Sequence, residues 1–333
     1  MSDIKKSIFT DSEKSDQVAK HGAQRQKLAR LKKWQDHGLG LFLHFGISTY
    51  DGLEFSPGDL PPSEFNPTKL DIAQWASLAR DAGMKYAILT VKHVSGFCLW
   101  PSNYTNYSVA NSGTKTDILS VFIEECEKKG VMPGIYYCTW DNHNSFGSLM
   151  PNPEKGIWNE AYTSRKYQDF MLLQIEELLT RYGKIFEFWL DIPFLLTGGF
   201  RRVVYDRIAE LQPETFILMN HGLRDGSELD VASVWPTDLL SIERILPPSA
   251  TGHIPWRSVL GEDYYIPGEV CETVGKDWFY KEEDKPRCNS ELVGMYQIAR
   301  ARGTNLLLNV GPDKTGLIPR DFAKSLQALG KSI

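Results

Sequence analysis

Asp191 closes an apolar run, Phe186-Glu-Phe-Trp-Leu190. A carboxylate in that position either caps the next helix or does chemistry. Pro193 follows two residues later and the next helical stretch starts well downstream, which weakens the capping reading. Other apolar runs also end in groups able to touch a ligand: His44, His93, Trp140 with Asp141, Asn220 with His221, and Glu269. One such ending is usually a turn former; a set of them can converge in space. His44 stands alone in Leu43-His44-Phe45 rather than in a His-x-His pair, so no metal site is expected. Imidazoles, carboxylates and aromatic rings together suit a sugar. Its hydroxyls need fixed hydrogen-bond partners and its apolar face needs an aromatic platform. Cleaving a glycoside needs two carboxyl groups, one of them protonated.

The residues can meet only if the elements carrying them converge. Apolar, β-rich runs cover Leu39–Gly46, Tyr86–His93, Met132–Trp140, Ile185–Asp191 and Phe216–His221, then a weak region at Val231–Trp235, then Tyr264–Cys271 and Asn305–Gly311. Helical spacing covers Leu70–Ala82, Asp117–Lys128, Asn159–Tyr182, Phe200–Leu211, Glu291–Ala301 and Arg320–Leu329. Gly183 suits a helix C-cap, and Pro213 stops the helix before it. Eight strand-like runs alternating with helices is the count of a TIM (β/α)8 barrel, whose active site lies at the C-terminal strand ends. An open doubly wound sheet is the competitor, but no strand-to-helix turn reads GxGxxG or GxxxxGKS, so no cofactor is expected. No Gly-x-Ser-x-Gly supports an α/β-hydrolase. Asp141–Trp158, with several Asn, Gly and Pro, reads as a surface loop.

The chain has 333 residues, 42% of them hydrophobic and 24% charged, which fits one packed barrel. The expected division is a polar, helical N-terminal segment over 1–33 and a barrel over 34–333, with no C-terminal β-sandwich. A net charge of −5 argues against nucleic acid as a partner. No apolar run approaches the roughly 20 residues of a membrane helix, and the polar N-terminus does not read as a secretory signal. Five scattered cysteines without a CxxC read as free thiols, so a cytoplasmic location is expected. Aromatic residues reach 12%, with nine Trp, which composition alone assigns to core packing.

The motifs resemble the α-L-fucosidases of glycoside hydrolase family 29. Gly40-Leu-Phe-Leu-His44-Phe-Gly46 is similar to that family's first-strand His-Trp-Gly segment, with Phe45 for Trp. Lys92-His93-Val-Ser-Gly96-Phe97-Cys-Leu-Trp100-Pro101-Ser102 resembles its Lys-His-His-Asp-Gly-Phe…Trp-Pro-Ser signature, with Val94 for the second His and Ser95 for Asp. Gly134-Ile-Tyr136-Tyr-Cys-Thr-Trp140, Glu187-Phe-Trp189-Leu-Asp191 and Asn305-Leu-Leu-Leu-Asn309-Val-Gly311-Pro312 resemble its third, nucleophile-bearing and eighth strands. The resemblance runs from about Trp34 to near the C-terminus.

The resemblance implies a retaining exo-α-L-fucosidase that acts on fucosylated glycans, with Asp191 as nucleophile. It places His44, His93, Trp100, Tyr136 and Trp140 around the fucose, and Glu54 of Gly52-Leu-Glu54-Phe55 on sugar hydroxyls. The acid/base is open among Glu228, Asp238, Glu243 and Glu269. Glu243, shortly before Pro247-Pro248, is preferred and Asp238 comes second; a salt bridge to Arg244 is the plainer reading of Glu243. Glu269 also resembles a substrate-contacting Glu. Two rival readings are a fucose-binding barrel without catalysis and a metal-dependent hydrolase using His44, His93, His221 and Asp191. A bare barrel also admits a homo-oligomer in which a neighbouring subunit walls the site.

Overall fold

A computed structural model describes residues 22–144, 164–220 and 231–333. After helix α1 (Leu28–Gln35), a parallel sheet is built from β1 (Leu39–Leu43), β2 (Tyr86–Lys92), β3 (Met132–Cys138), β4 (Glu187–Asp191), β5 (Phe216–Met219), β6 (Leu240–Glu243), β9 (Gly268–Thr273) and β10 (Thr304–Val310). The sheet order is β5-β4-β3-β2-β1-β10-β9-β6. Its two ends meet where the Asp238 N–H donates to the Ile217 carbonyl at 2.8 Å and Leu218 bridges Leu239, closing a (β/α)8-type barrel. The short α2 (Ser48–Asp51) opens the loop after β1. The outer helices are α3 (Ile72–Asp81), α4 (Ile118–Lys129), α5 (Arg165–Arg181), α6 (Gly198–Leu211), α7 (Asn289–Ala301) and α8 (Arg320–Gly330). Side chains of Asp71, Asp117, Ser164 and Thr197 accept backbone N–H groups in the first turns of α3 to α6. No helix among the described residues is long and apolar enough to cross a membrane.

Strand periodicity splits the core in two. Outward residues such as Leu41, Leu43, Leu89, Ile135, Phe188, Leu190, Ile217 and Leu308 pack against the helices. Inward residues such as Phe42, Tyr86, Tyr136, Trp189, Leu218, Cys271 and Leu307 fill the barrel. On β1 and β4 the chemistry lies two residues beyond core packing: Phe42 then His44, Trp189 then Asp191. Gly40 faces inward, and a Cβ there would stand 2.5 Å from the Tyr86 ring. Glycine at this point admits that ring, whose hydroxyl reaches Glu269.

Several boundaries differ from the sequence reading. The sixth strand is Leu240–Glu243, whereas Val231–Ser233 is a 3-10 turn. A four-residue strand with Ser241 facing inward carries too little apolar signal to be read. Tyr264–Cys271 joins two elements: β8 (Glu262–Tyr265), antiparallel to β7 (Trp256–Val259), and the seventh barrel strand β9. The described residues hold no α-helix between β5 and β6 or between β6 and β9. The β7–β8 hairpin covers that side, with Val259 and Ile266 against Leu240. Position 34 falls inside α1, and the described part of 1–33 is attached to the barrel floor: Arg25 pairs with Asp238, and Gln26 and Arg30 donate to the carbonyls of Pro213 and Glu214. Asp141 is not a surface residue. It is fully buried in a 2.8 Å ion pair with Lys92. Residues 145–158 of that loop lie outside the described ones.

Candidate active site

Eleven residues line one cavity at the C-terminal mouth of the barrel: Phe42, His44, Glu54, His93, Tyr136, Trp189, Asp191, Asn220, Glu243, Cys271 and Trp278. Nine lie on barrel strands or one residue beyond them, and Glu54 and Trp278 come from loops. The cavity is tight, with about 40 Å3 of room for the centres of water-sized spheres, well below the usual range of ligand pockets. One wall is a stack, with His93 on Tyr136 (5.5 Å between ring centres, 12° between planes) and Tyr136 on Trp189 (5.8 Å, 22°). Phe42 fills the floor 5.3 Å from Trp189, and Trp278 faces His44 at 5.1 Å.

Asp191 is held by three donors. Its Oδ2 accepts from the Tyr136 hydroxyl at 2.5 Å, and its Oδ1 accepts from Asn220 Nδ2 at 2.7 Å and from the Ile192 N–H at 2.9 Å. Ile192 adopts φ +55°, an outlier for a β-branched residue, and so turns its N–H back onto the carboxylate. Burial pushes the Asp191 pKa up, while the three donors favour the ionised form.

The same Asn220 Nδ2 lies 3.2 Å from Glu243 Oε2, and Ser241 fixes the amide by donating to Asn220 Oδ1 at 2.6 Å. One nitrogen reaching both groups keeps the carboxyls under about 6 Å apart, the spacing of a retaining rather than an inverting pair. Glu243 is pushed up to about 7, first by burial and then by the Asp191 charge, with Glu54 adding to it. Two carboxyls whose surroundings separate them in this way can take different roles: one ionised, one proton-bearing.

Burial brings His93 down to about 3 and His44 well below the ordinary imidazole value, so both are neutral. His44 Nδ1 meets Asn309 Oδ1 at 2.7 Å, and Asn309 Nδ2 donates to the Trp278 carbonyl at 2.8 Å. That orientation puts the His44 proton on Nδ1 and leaves Nε2 as an acceptor. His93 Nδ1 is buried without a hydrogen-bond partner among the described residues. The Glu54 pKa is raised, mainly by burial, and the charge of Asp191 adds to that rise.

Of the expected residues, Asp191, Glu243, His44, Glu54, His93 and Tyr136 meet in this cavity. Trp140 stands at the rim, 6.5 Å from the exposed ring of Phe55, with its indole N–H on Asn142. Trp100 is misassigned: it is fully buried outside the barrel and donates to Glu177 at 2.7 Å. Glu269 also lies elsewhere. It faces inward one layer below the cavity, where the Trp189 indole at 3.0 Å and the Tyr86 hydroxyl hold it. Asp238 precedes β6 at the opposite end of the barrel and binds Arg25, Tyr205 and the Ile217 N–H. It has no route to the cavity. Val94 is buried and does not line the cavity, and His221 and Glu228 lie outside the described residues.

Sequence reasoning noted Asn220 only as a strand ending and passed over Phe42, Cys271 and Trp278. Phe42 was findable, because it is two residues before His44 on one strand face. Trp278 sits in a segment with no strand or helix periodicity and offered no signal.

Fold and site together define a class: a (β/α)8 barrel whose C-terminal mouth holds a carboxyl pair among neutral imidazoles and aromatic walls. Comparison with known proteins gives the family. The family model described as Alpha-L-fucosidase matches residues 54–333, and the chain belongs to that family. It is 31% identical over 313 residues to Alpha-L-fucosidase 1 of Arabidopsis thaliana, covering 89% of this chain and 58% of that protein. The chain thus spans rather more than half the length of the curated relatives it matches. A crystal structure of a putative alpha-L-fucosidase from Bacteroides thetaiotaomicron superposes with a TM-score of 0.74 at 29% identity, covering 94% of this chain and 68% of that one. A second from that organism, a trapped covalent intermediate with 2-fluoro-fucosyl fluoride, gives 0.74 at 26% identity over 94% of this chain and 76% of that one.

Proposed function

We propose that this chain is a retaining exo-α-L-fucosidase that releases L-fucose from fucosylated glycans. The observation that carries the reading is the Asp191–Asn220–Glu243 bridge in the wall of a small aromatic cavity. Asp191 attacks the anomeric carbon while the Glu243 carboxyl gives its proton to the departing glycosidic oxygen. The C–O bond to the leaving group breaks and an ester to Asp191 forms. Glu243, now ionised, takes a proton from water; that water displaces Asp191 and frees fucose with its configuration kept. His44 Nε2, His93 Nδ1 and Glu54 bind hydroxyls, and Phe42, Tyr136, Trp189 and Trp278 hold the apolar face. The trapped covalent intermediate of the Bacteroides relative supports the two-step course. Free thiols at all five cysteines, with Cys288 exposed, support a reducing, cytoplasmic setting.

The test is hydrolysis of an aryl α-L-fucoside, with the first-formed anomer followed by NMR. The α anomer is expected first, and Asp191→Ala should lose turnover while remaining folded. A fully active Asp191→Ala would end the nucleophile assignment, and the β anomer first would end retention. Calorimetric fucose binding without any turnover would favour the non-catalytic barrel.

A further inference from the structure

We propose that Arg244 is a positioning residue for this site: it aims the Glu243 carboxyl into the cavity and braces the Trp278 wall from behind. The inference rests on the acid/base reading of Glu243. Arg244 follows Glu243 at the point where the β6–β9 ladder ends, since Glu243 pairs with Cys271 and the Arg244 N–H still donates to the Cys271 carbonyl at 3.0 Å. There the backbone adopts φ +64°, a left-handed conformation that non-glycine residues take only when their surroundings hold them in it. The same device follows Asp191, at Ile192. In both places the strand stops at the carboxylate.

The guanidinium supplies the holding contacts. Nη1 lies 3.1 Å from Glu272 Oε1 and 3.0 Å from Thr273 Oγ1, and Nη2 donates to the Lys276 carbonyl at 3.0 Å. The guanidinium carbon stands 4.7 Å from the centre of the Trp278 ring, which also faces His44. Arg244, Trp278 and His44 thus form successive layers from the outside of the barrel to the cavity. A fork of three donors on a single turn fixes direction as a lysine cannot.

The charge has a second consequence. Glu243 is faced by Asp191 from β4, Asn220 from the end of β5, Glu54 from the loop after β1, Cys271 from β9, and Arg244 beside it. Among these, Arg244 is the cation, and it opposes the rise that burial and Asp191 impose on Glu243. Removing it should raise the proton affinity of Glu243.

The experiment compares the wild-type chain with Arg244→Gln and Arg244→Lys. The Glu243 carboxyl is titrated by carbon-13 NMR, its resonance assigned through Glu243→Gln, and kcat/KM for an aryl α-L-fucoside is followed against pH. Arg244→Gln should move the Glu243 titration and the alkaline limb of kcat/KM to higher pH together, and raise KM. Arg244→Lys keeps the charge and loses the fork, so it should leave the titration in place and raise KM. A Glu243 titration unmoved in Arg244→Gln, with only the melting temperature lowered, would reduce Arg244 to a structural residue and overturn the proposal. If Arg244→Gln does not fold, an unchanged KM in Arg244→Lys overturns it. The NMR titration needs no turnover, so a wild-type chain inactive on fucosides would count against the proposed function alone.

Discussion

Replacing Asn220 by Ala removes the one donor among the described residues that both carboxyls share. Its amide nitrogen is 2.7 Å from Asp191 and 3.2 Å from Glu243, so the bond to Asp191 is the stronger. A hydrogen bond to a charged group contributes about 1.5–3 kcal/mol, and one pKa unit corresponds to about 1.4 kcal/mol. Both bonds favour the ionised forms, so losing them raises both proton affinities, that of Asp191 by about one to two units and that of Glu243 by less. The acid limb of kcat/KM, where Asp191 must be ionised, should move to higher pH. The alkaline limb, where Glu243 must keep its proton, should move the same way by a smaller amount. Below the acid limb each unit lowers kcat/KM about tenfold. The assay is the pH profile on an aryl α-L-fucoside from about pH 3 to about pH 9, with melting temperatures at each point. Ser241 also loses its partner, and Ser241→Ala alone serves as the stability control. A profile in Asn220→Ala that overlays the wild type, with folding intact, would refute the shared-donor reasoning.

Glu243→Gln should abolish the alkaline limb and slow aryl fucosides by about 10²–10⁴, with the smallest loss for the most acidic leaving group, as rates across a phenol series would show. Trp100→Phe should leave KM unchanged while lowering stability by about 1–3 kcal/mol in denaturant melts, because the buried Glu177 carboxylate loses its indole donor. Glu269→Gln should change the pH dependence of stability. Burial raises the folded-state pKa of Glu269 above the ordinary 4.5, and the buried Glu187 carboxyl beside it titrates with it, so the favourable contribution is full below about 4.5 and is lost as pH rises through the raised value. The wild-type melting temperature should therefore fall relative to Glu269→Gln across that window.

Most of the barrel was legible because its strands are apolar on both faces and its helices carry helical periodicity. Leu39–Leu43 and Tyr86–Lys92 are buried along their whole length, and Leu39–Leu43 and Tyr86–Leu89 give apolar runs. β6 was not legible, because four residues with an inward Ser do not rise above a loop. The site was legible where a recognised strand end supplied it, as with His44, His93 and Asp191; Glu243 came from the family resemblance, because the strand that carries it was not read. Sequence position shows that a residue lies near the mouth but not which layer it occupies. Glu269 was assigned to substrate for that reason, and only its register opposite Asn305 and Ser241 sets it beneath the cavity. Trp100 followed a motif whose buried end does structural work. Asp141 looked like loop because its ion pair with Lys92 closes across 49 positions of chain, and Gly96, where a Cβ would lie 2.2 Å from the Asp141 carboxylate, makes room for it.

The two-residue spacing along the strands also bears on how such a site can change. Phe42, Tyr136, Trp189 and Cys271 belong at once to the cavity wall and to the packed interior. A change at any of them alters the packed interior together with the cavity wall. Glu54 and Trp278 stand on loops outside the strand register. Trp278 is nonetheless packed into the same interior, so the least constrained positions are Glu54 and the rim around Phe55 and Trp140, while the carboxyl pair stays locked to the architecture that carries it.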